Sequence, residues 1–480
     1  AKKFSRSAFP CSRIVMSSEL FAWIAASLVA KNLGNTLQNG QDKNITGEFD
    51  FSRLYGKSRW LRALDSDAVP ANTNQTQQPK DTTGKKRKRD PNAPVQLSGA
   101  ARFFGRILTS VKRVSINYSE NASTTIYGYT DSTQHIGMNF RTGAPGLPFI
   151  FGHQPDTNDI NRFAAKGWLT RDSTFNYQNR QDFTQKLSLT AQLQPVRDLT
   201  IDINLDKSFG KSYSELYKDT TGNSGFVRLN PYSSGSFSIS YISFQTLFKR
   251  FKENEVSETF RKFQDNRIIL SKRLAEQNPY WKNLPPGQQI QNDGYYTGYG
   301  RYAQDVLIPA FVAAYTNKDP NSISLLKNSN PSTKSNPYSG YIPKPNWRVT
   351  YNGLARIQGL QKIFTNFSIT HAYNSTLSMN SFNSDLMFRD PFRVGYPGFI
   401  DPVSGNFVPY FLVPNITLSE QFAPLLDLDM QFTNQMNARI EFRKSRTLSL
   451  SLVDFQLSEN RSTEVTLGAG WRKRGFPLPF

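Results

Sequence analysis

In FAPLLDLDMQFTNQMNARIEFRKSRTLSLSLVDFQLSENRSTEVTLGAGW, Phe422 to Trp471, apolar side chains fall on every second position. Phe422, Pro424, Leu426, Leu428, Met430 and Phe432 form the first run, with Asp427, Asp429 and Gln431 between its later members. After Thr433-Asn434-Gln435 the pattern resumes in Met436, Ala438, Ile440 and Phe442, set against Asn437, Arg439 and Glu441. Lys444-Ser445-Arg446 separates that run from Leu448, Leu450 and Leu452, which alternate with serines. Val453, Phe455 and Leu457 follow one residue out of phase. A polar Ser458-Glu459-Asn460-Arg461 turn then leads to Val465, Leu467, Ala469 and Trp471. A period of two is a strand period, because successive side chains leave opposite faces of a pleated backbone. Short polar breaks between such runs predict hairpins, hence an antiparallel meander. The slip at Leu452-Val453 predicts a bulge.

Alternation alone leaves two architectures open. A sandwich turns its apolar face inward, whereas an outer-membrane barrel turns it to lipid and fills the lumen with polar groups. Runs of about 8–11 residues suit a tilted strand crossing hydrocarbon. The polar positions also carry acids and bases (Asp427, Asp429, Arg439, Glu441) rather than only hydroxyls. Both features favour an all-β, antiparallel transmembrane barrel with loop and short helical insertions.

Composition points the same way. Of 480 residues 38% are hydrophobic, yet 13% are aromatic, with 36 Phe and 21 Tyr. Barrels gather such rings in girdles at the two membrane interfaces. The longest apolar runs, Phe21 to Ala30 and Val306 to Tyr315, are too short for a spanning helix, so strands would have to cross any membrane. A net charge of +21 raises nucleic acid as a partner, and Lys85-Lys86-Arg87-Lys88-Arg89 fits a basic recognition run. No recognition fold surrounds that run, which reads as a solvated loop, and no nucleic acid is expected. The remaining charge is spread along the chain, as suits an acidic membrane surface or a channel lining. One cysteine, Cys11, excludes an internal disulfide framework and a cysteine-based metal cluster.

Along the chain, Lys2, Lys3 and Arg6 ahead of Phe21 to Ala30 do not make a signal peptide, because the gap between them is long and mixed. Asn44 to Phe51 alternates and runs into a helical turn, Ser52 to Leu64, and residues 65–96 form a polar loop. Phe103 to Val111 reads as helix or turn, and strands follow at Val114 to Tyr118 and Ile126 to Tyr129. A hairpin is predicted over Phe183 to Leu205. Leu187, Leu189, Ala191 and Leu193 lie on one face, Gln194 to Asp198 form the turn, and Leu199, Ile201, Ile203 and Leu205 return against Asp202, Asn204 and Asp206. Apolar residues at three- to four-residue spacing from Leu247 to Leu274 predict a helical insertion over residues 245–278, packed on its own protein at a barrel mouth or inside it. Residues 317–346 read as a loop, and Trp347 to Tyr351 and Phe367 to Tyr373 bring strands back.

Little chemistry is legible. His135, His153 and His371 lie far apart without carboxylates at metal spacing, and there is no Gly-x-Ser-x-Gly elbow or phosphate loop. Gly294, Gly298 and Gly300 have the wrong spacing for a dinucleotide fingerprint and suit a turn, while His371 suits a hydrogen-bonded wall position. No catalytic, cofactor or metal residue is expected. The candidate channel-lining residues are Asp427, Asp429, Arg439, Glu441, Asp202 and Asp206.

Four stretches resemble the SprA/Sov family, the outer-membrane translocon of type IX secretion and gliding motility in Bacteroidetes. They are Leu28 to Thr36, Gly294 through Gln304-Asp305-Val306-Leu307-Ile308-Pro309-Ala310-Phe311 to Ser324, Pro345 to Leu354, and Thr370 to Thr376. The resemblance runs with gaps from about Ala22 to Phe480 and implies a very large barrel of which this chain is a late part, so that alone it is not expected to function. It further implies folded cargo crossing the lumen, a partner outer-membrane barrel, a periplasmic plug protein and membrane lipid as partners. Residues 1–20 do not resemble the family and form an atypical N-terminal segment ahead of the partial barrel of 21–480. The expected function is therefore protein export at the cell outer membrane. A ligand-gated nutrient-uptake barrel is the alternative, followed by a basic nucleic-acid-binding protein and then an enzyme barrel.

Overall fold

The period-two alternation recurs along the chain, and the fold is all-β: among the described residues, one antiparallel sheet of twelve strands. The computed structural model describes residues 11–55, 61, 99–222, 225–249, 255–326 and 332–472. The strands are β1 (Cys11–Ile24), β2 (Asn35–Asp50), β3 (Val111–Tyr129), β4 (Asn179–Val196), β5 (Leu199–Asp219), β6 (Phe226–Ser240), β7 (Asn346–Tyr351), β8 (Phe364–Ser384), β9 (Phe411–Leu412), β10 (Asn415–Phe432), β11 (Met436–Ser451) and β12 (Leu457–Trp471). Their spatial order follows the sequence from β1 to β6 and continues through β8, β10, β11 and β12. The predicted basic run Lys85 to Arg89 and loop 65–96 lie outside the described residues.

The predicted hairpins form, with three corrections in the C-terminal stretch. Lys444-Ser445-Arg446 is not a break but the middle of β11, which pairs with β12 in unbroken register from Met436–Trp471 to Leu450–Leu457. Lys444 and Arg446 keep the parity of the leucines beside them, and Arg446 finds its counter-ion across the ladder in Glu420. The turn falls at 452–456 rather than at Ser458 to Arg461, which lie inside β12. The bulge is found instead in β10, where the register shifts between Phe422 and Leu426. Elsewhere, Val114 to Tyr118 and Ile126 to Tyr129 belong to one continuous strand, β3.

β6 and β7 are two halves of one strand. β5 pairs with β6 over Lys207 to Asp219 and with β7 over Leu199 to Asn204, and β8 likewise runs past both. Side chains seal the seam where the strand is interrupted. The Asp206 N–H donates to Ser240 Oγ at 3.1 Å, the Ser375 N–H to Asn346 Oδ1 at 2.9 Å, and the Tyr241 N–H to the Ser375 carbonyl at 3.0 Å. Buried backbone donors that would lose their ladder partners are thus kept satisfied.

Between Ser240 and Asn346 the chain leaves the sheet and forms the Phe244–Leu247, Glu258–Gln277 and Gln304–Tyr315 helices. The Ser257 side chain caps the second by accepting from the Phe260 N–H. The third is apolar around most of its circumference, and every residue from Asp305 to Tyr315 is buried, as such a helix requires. It packs on the Glu258–Gln277 helix and shares a core with Phe237, Ile239, Leu377, Met379, Ile416, Leu418, Leu448 and Leu450 of the sheet. A smaller core lies under the β3–β4 connection, where Phe149, Ile160, Phe163 and Trp168 cover Leu37 and Ile126.

Candidate functional site

Residues paired across an antiparallel ladder point to the same face. The registers therefore sort every strand residue onto one of two faces. Leu199, Tyr351, Ile369, Leu428, Ile440 and Leu467 form one continuous row across six strands. The next row belongs to the opposite face and reads Thr200, Thr350, Thr370, Asp427, Glu441 and Thr466. One residue step thus separates an all-apolar row from an all-polar one.

On the apolar face the helical insertion covers only the half of the sheet farther from the Arg197-Asp198 and Thr433–Gln435 turns. In the half nearer those turns Leu426 and Ile440 are exposed, and Leu467 is 74% exposed. Aromatic rings border this uncovered belt on both sides. On the insertion side Trp347 stacks on Tyr373 at 4.7 Å between ring centres, and Tyr373 meets Phe422 at 4.8 Å. On the turn side Phe364 meets Phe432 at 4.9 Å and Phe367 at 5.0 Å. His371 lies at the belt's insertion-side border with Nδ1 hydrogen-bonded to the Leu425 carbonyl at 2.7 Å.

All six candidate lining residues fall on the polar face. Four of them form a cluster. Asp427 and Glu441 sit directly opposite each other, an arrangement of like charges that would destabilise the pair of strands. Arg439 resolves it: Nε and Nη2 reach the two Asp427 oxygens at 2.9 and 3.1 Å, and Nη2 lies 3.1 Å from Glu441 Oε2. The two-pronged contact is the geometry that suits a guanidinium and a carboxylate. Asp429 is the cross-strand partner of Arg439. Asp202 and Asp206 share this face but sit on β5, with β7 and β8 between them and the cluster. Each is held locally: Gln192 donates to Asp202 at 3.2 Å, and Ser188 to Asp206 at 2.8 Å. Arg443, which reaches Glu441 at 2.5 Å, escaped the sequence reading although it continues the parity of Arg439 and Glu441. The assumed break at Lys444 hid it.

The polar face carries a hollow of about 420 Å³, lined by Asn44, Asn117, Lys186, Ser188, Asp206 and Ser208 among others. Its chemistry is that of hydroxyls, amides and balanced charge. Among the described residues no group of three or more histidine, cysteine or carboxylate side chains is placed to hold a metal. No helix among them is long and apolar enough to cross a membrane. β1 departs from the scheme: Met16 and Leu20 project from the polar face, and Ser17 and Glu19 from the apolar one. In the comparisons with known proteins, no family model matches the chain and no curated protein matches it.

Proposed function

We propose that this chain is a section of wall from a transmembrane antiparallel β-barrel, with its apolar belt against lipid and its polar face lining an aqueous lumen. One observation carries the reading: the uncovered apolar row through Leu428 lies back to back with the ion-paired row through Asp427. In water the belt would leave a broad patch of large apolar side chains exposed at roughly 25 cal/mol per Å², and patches beyond a few hundred Å² mark membrane or protein contacts. A sandwich would cover the belt with a second layer, and among the described residues nothing covers Leu426, Ile440 or Leu467.

The dimensions agree. From Phe364 to Tyr373 is nine residue steps on β8, about 30 Å along a strand at about 3.3 Å per residue. At the tilt of about 40° usual for barrels this becomes about 23 Å, close to the apolar band of about 25 Å in outer-membrane barrels. Detergent should be required to extract the protein from membranes. Release by alkaline or high-salt washing alone would overturn the wall reading.

The activity we propose is protein export, with folded cargo passing the lumen of an outer-membrane translocon of the SprA/Sov type, assisted by a partner barrel and a plug protein. The motifs in Leu28 to Thr36 and Gln304 to Phe311 support it. Cells lacking the protein should retain folded cargo in the periplasm while small-nutrient uptake stays normal. Normal secretion with lost uptake would favour the uptake barrel instead.

A further inference from the structure

A cleft of about 600 Å³ lies at the end of the sheet away from the short turns, between the insertion, the loop around Asn406 and the β11–β12 turn. We infer that it binds a neutral saccharide. Two half-exposed rings, Tyr302 and Phe455, stand in it with centres 4.9 Å apart and planes inclined at 45°. Phe455 sits at the turn with φ of 54°, a left-handed conformation that a bulky side chain seldom adopts. Such strain is retained where the position of the side chain matters.

Planar polar groups surround the rings. Asn406 is fixed by accepting from the Gly300 N–H at 2.8 Å through Oδ1, which leaves its amide hydrogens as donors at the cleft. Asp293 accepts from the Tyr295 N–H at 3.2 Å through one oxygen, and Arg301, Gln291, Gly300, Ser404 and the apolar Val403 complete the lining. Sugars present a C–H face that packs on an aromatic ring, and hydroxyls that each need both a donor and an acceptor. Amide, carboxylate and guanidinium groups supply both. One acid and one base leave the cleft without excess charge, which disfavours phosphorylated or strongly acidic ligands. The inclined rings form no parallel slot for a flat base. The site stands without the membrane reading, which would decide only that the cleft faces the cell exterior.

The test is calorimetric titration of the full protein in detergent with cello-, malto- and manno-oligosaccharides. At least one should bind saturably. Phe455→Gly removes the ring while suiting the left-handed backbone, and Tyr302→Ala removes the other ring. Each should weaken binding by roughly two- to tenfold, the worth of one aromatic contact, and the double variant by roughly four- to a hundredfold, while Phe455→Tyr should bind as the parent does. The inference is overturned if none of the three probes binds, if the double variant binds like the parent, or if hexose phosphate binds more tightly than the neutral sugars.

Discussion

Glu420 and Arg446 face each other in register on β10 and β11, form an ion pair, and are each 1% exposed. The start of the insertion closes over them. The Ser243 hydroxyl donates to Glu420 at 2.5 Å, the Tyr373 hydroxyl donates to the same oxygen at 3.1 Å, and Arg446 donates to Thr246 Oγ1 at 2.7 Å. Thr246 in turn donates to the Tyr315 carbonyl at the end of the buried helix at 2.8 Å. The pair therefore joins sheet and insertion at one point.

Arg446→Met should leave Glu420 buried without a counter-ion, at a cost of about 3–5 kcal/mol, whereas Glu420→Gln leaves Arg446 only its longer contact with Glu459, at 3.6 Å. Glu420→Gln and Arg446→Met should each raise hydrogen exchange and protease cleavage across the Phe244–Leu247 helix, and the double variant should do so less than either single one. Unchanged exchange in both single variants would show that the pair does not hold the insertion.

The face assignment is tested at Leu428 and Asp429. With cysteine at each position in native membranes, a lipid-soluble thiol reagent should label 428 and a small water-soluble reagent 429. Leu428→Arg should impair membrane assembly, costing about 2–4 kcal/mol near the midplane, whereas Asp429→Arg should assemble. Water-soluble labelling of both positions would remove the transmembrane assignment of β10.

Asn346→Ala should strip the Ser375 N–H of the side-chain acceptor that bridges the interrupted strand. A buried donor left unpaired costs about 1–3 kcal/mol. The Ser375 amide should exchange faster, with β10 and β11 unaffected. Equal exchange in parent and variant would mean that another acceptor takes over.

Alkali should loosen the insertion. Burial pushes the Tyr241 hydroxyl up from its ordinary 10.0 to about 12 and raises those of Tyr299, Tyr315, Tyr338 and Tyr341 as well. An unfolded segment would ionise these tyrosines first. Their stabilisation is therefore complete below the ordinary tyrosine value and lost as pH rises through the raised ones. Tyrosinate absorbance and protease cleavage of the insertion should increase together from about pH 10 to about pH 12. Cleavage that sets in well below the ordinary tyrosine value would contradict this order.

The alternation in Leu426 to Phe432 and Leu187 to Leu205 was enough to establish strands, hairpins and which residues share a face, because side-chain direction along a strand is a local property of the pleat. It also placed Asp427, Asp429, Arg439 and Glu441 together, since they lie on strands joined by a three-residue turn. Tertiary structure alone decided what depends on distant partners. Arg446 looked like part of a break because its counter-ion, Glu420, lies on another strand. Trp347 to Tyr351 read as an independent strand, although it completes the one that Ser240 leaves, on the far side of the insertion. The side on which that insertion packs followed from the wholly apolar run Val306 to Tyr315, which could be buried only against the apolar face of the sheet, opposite the ion-paired row. Local periodicity fixes where a side chain points, while register and the burial of remote apolar surface fix what it meets.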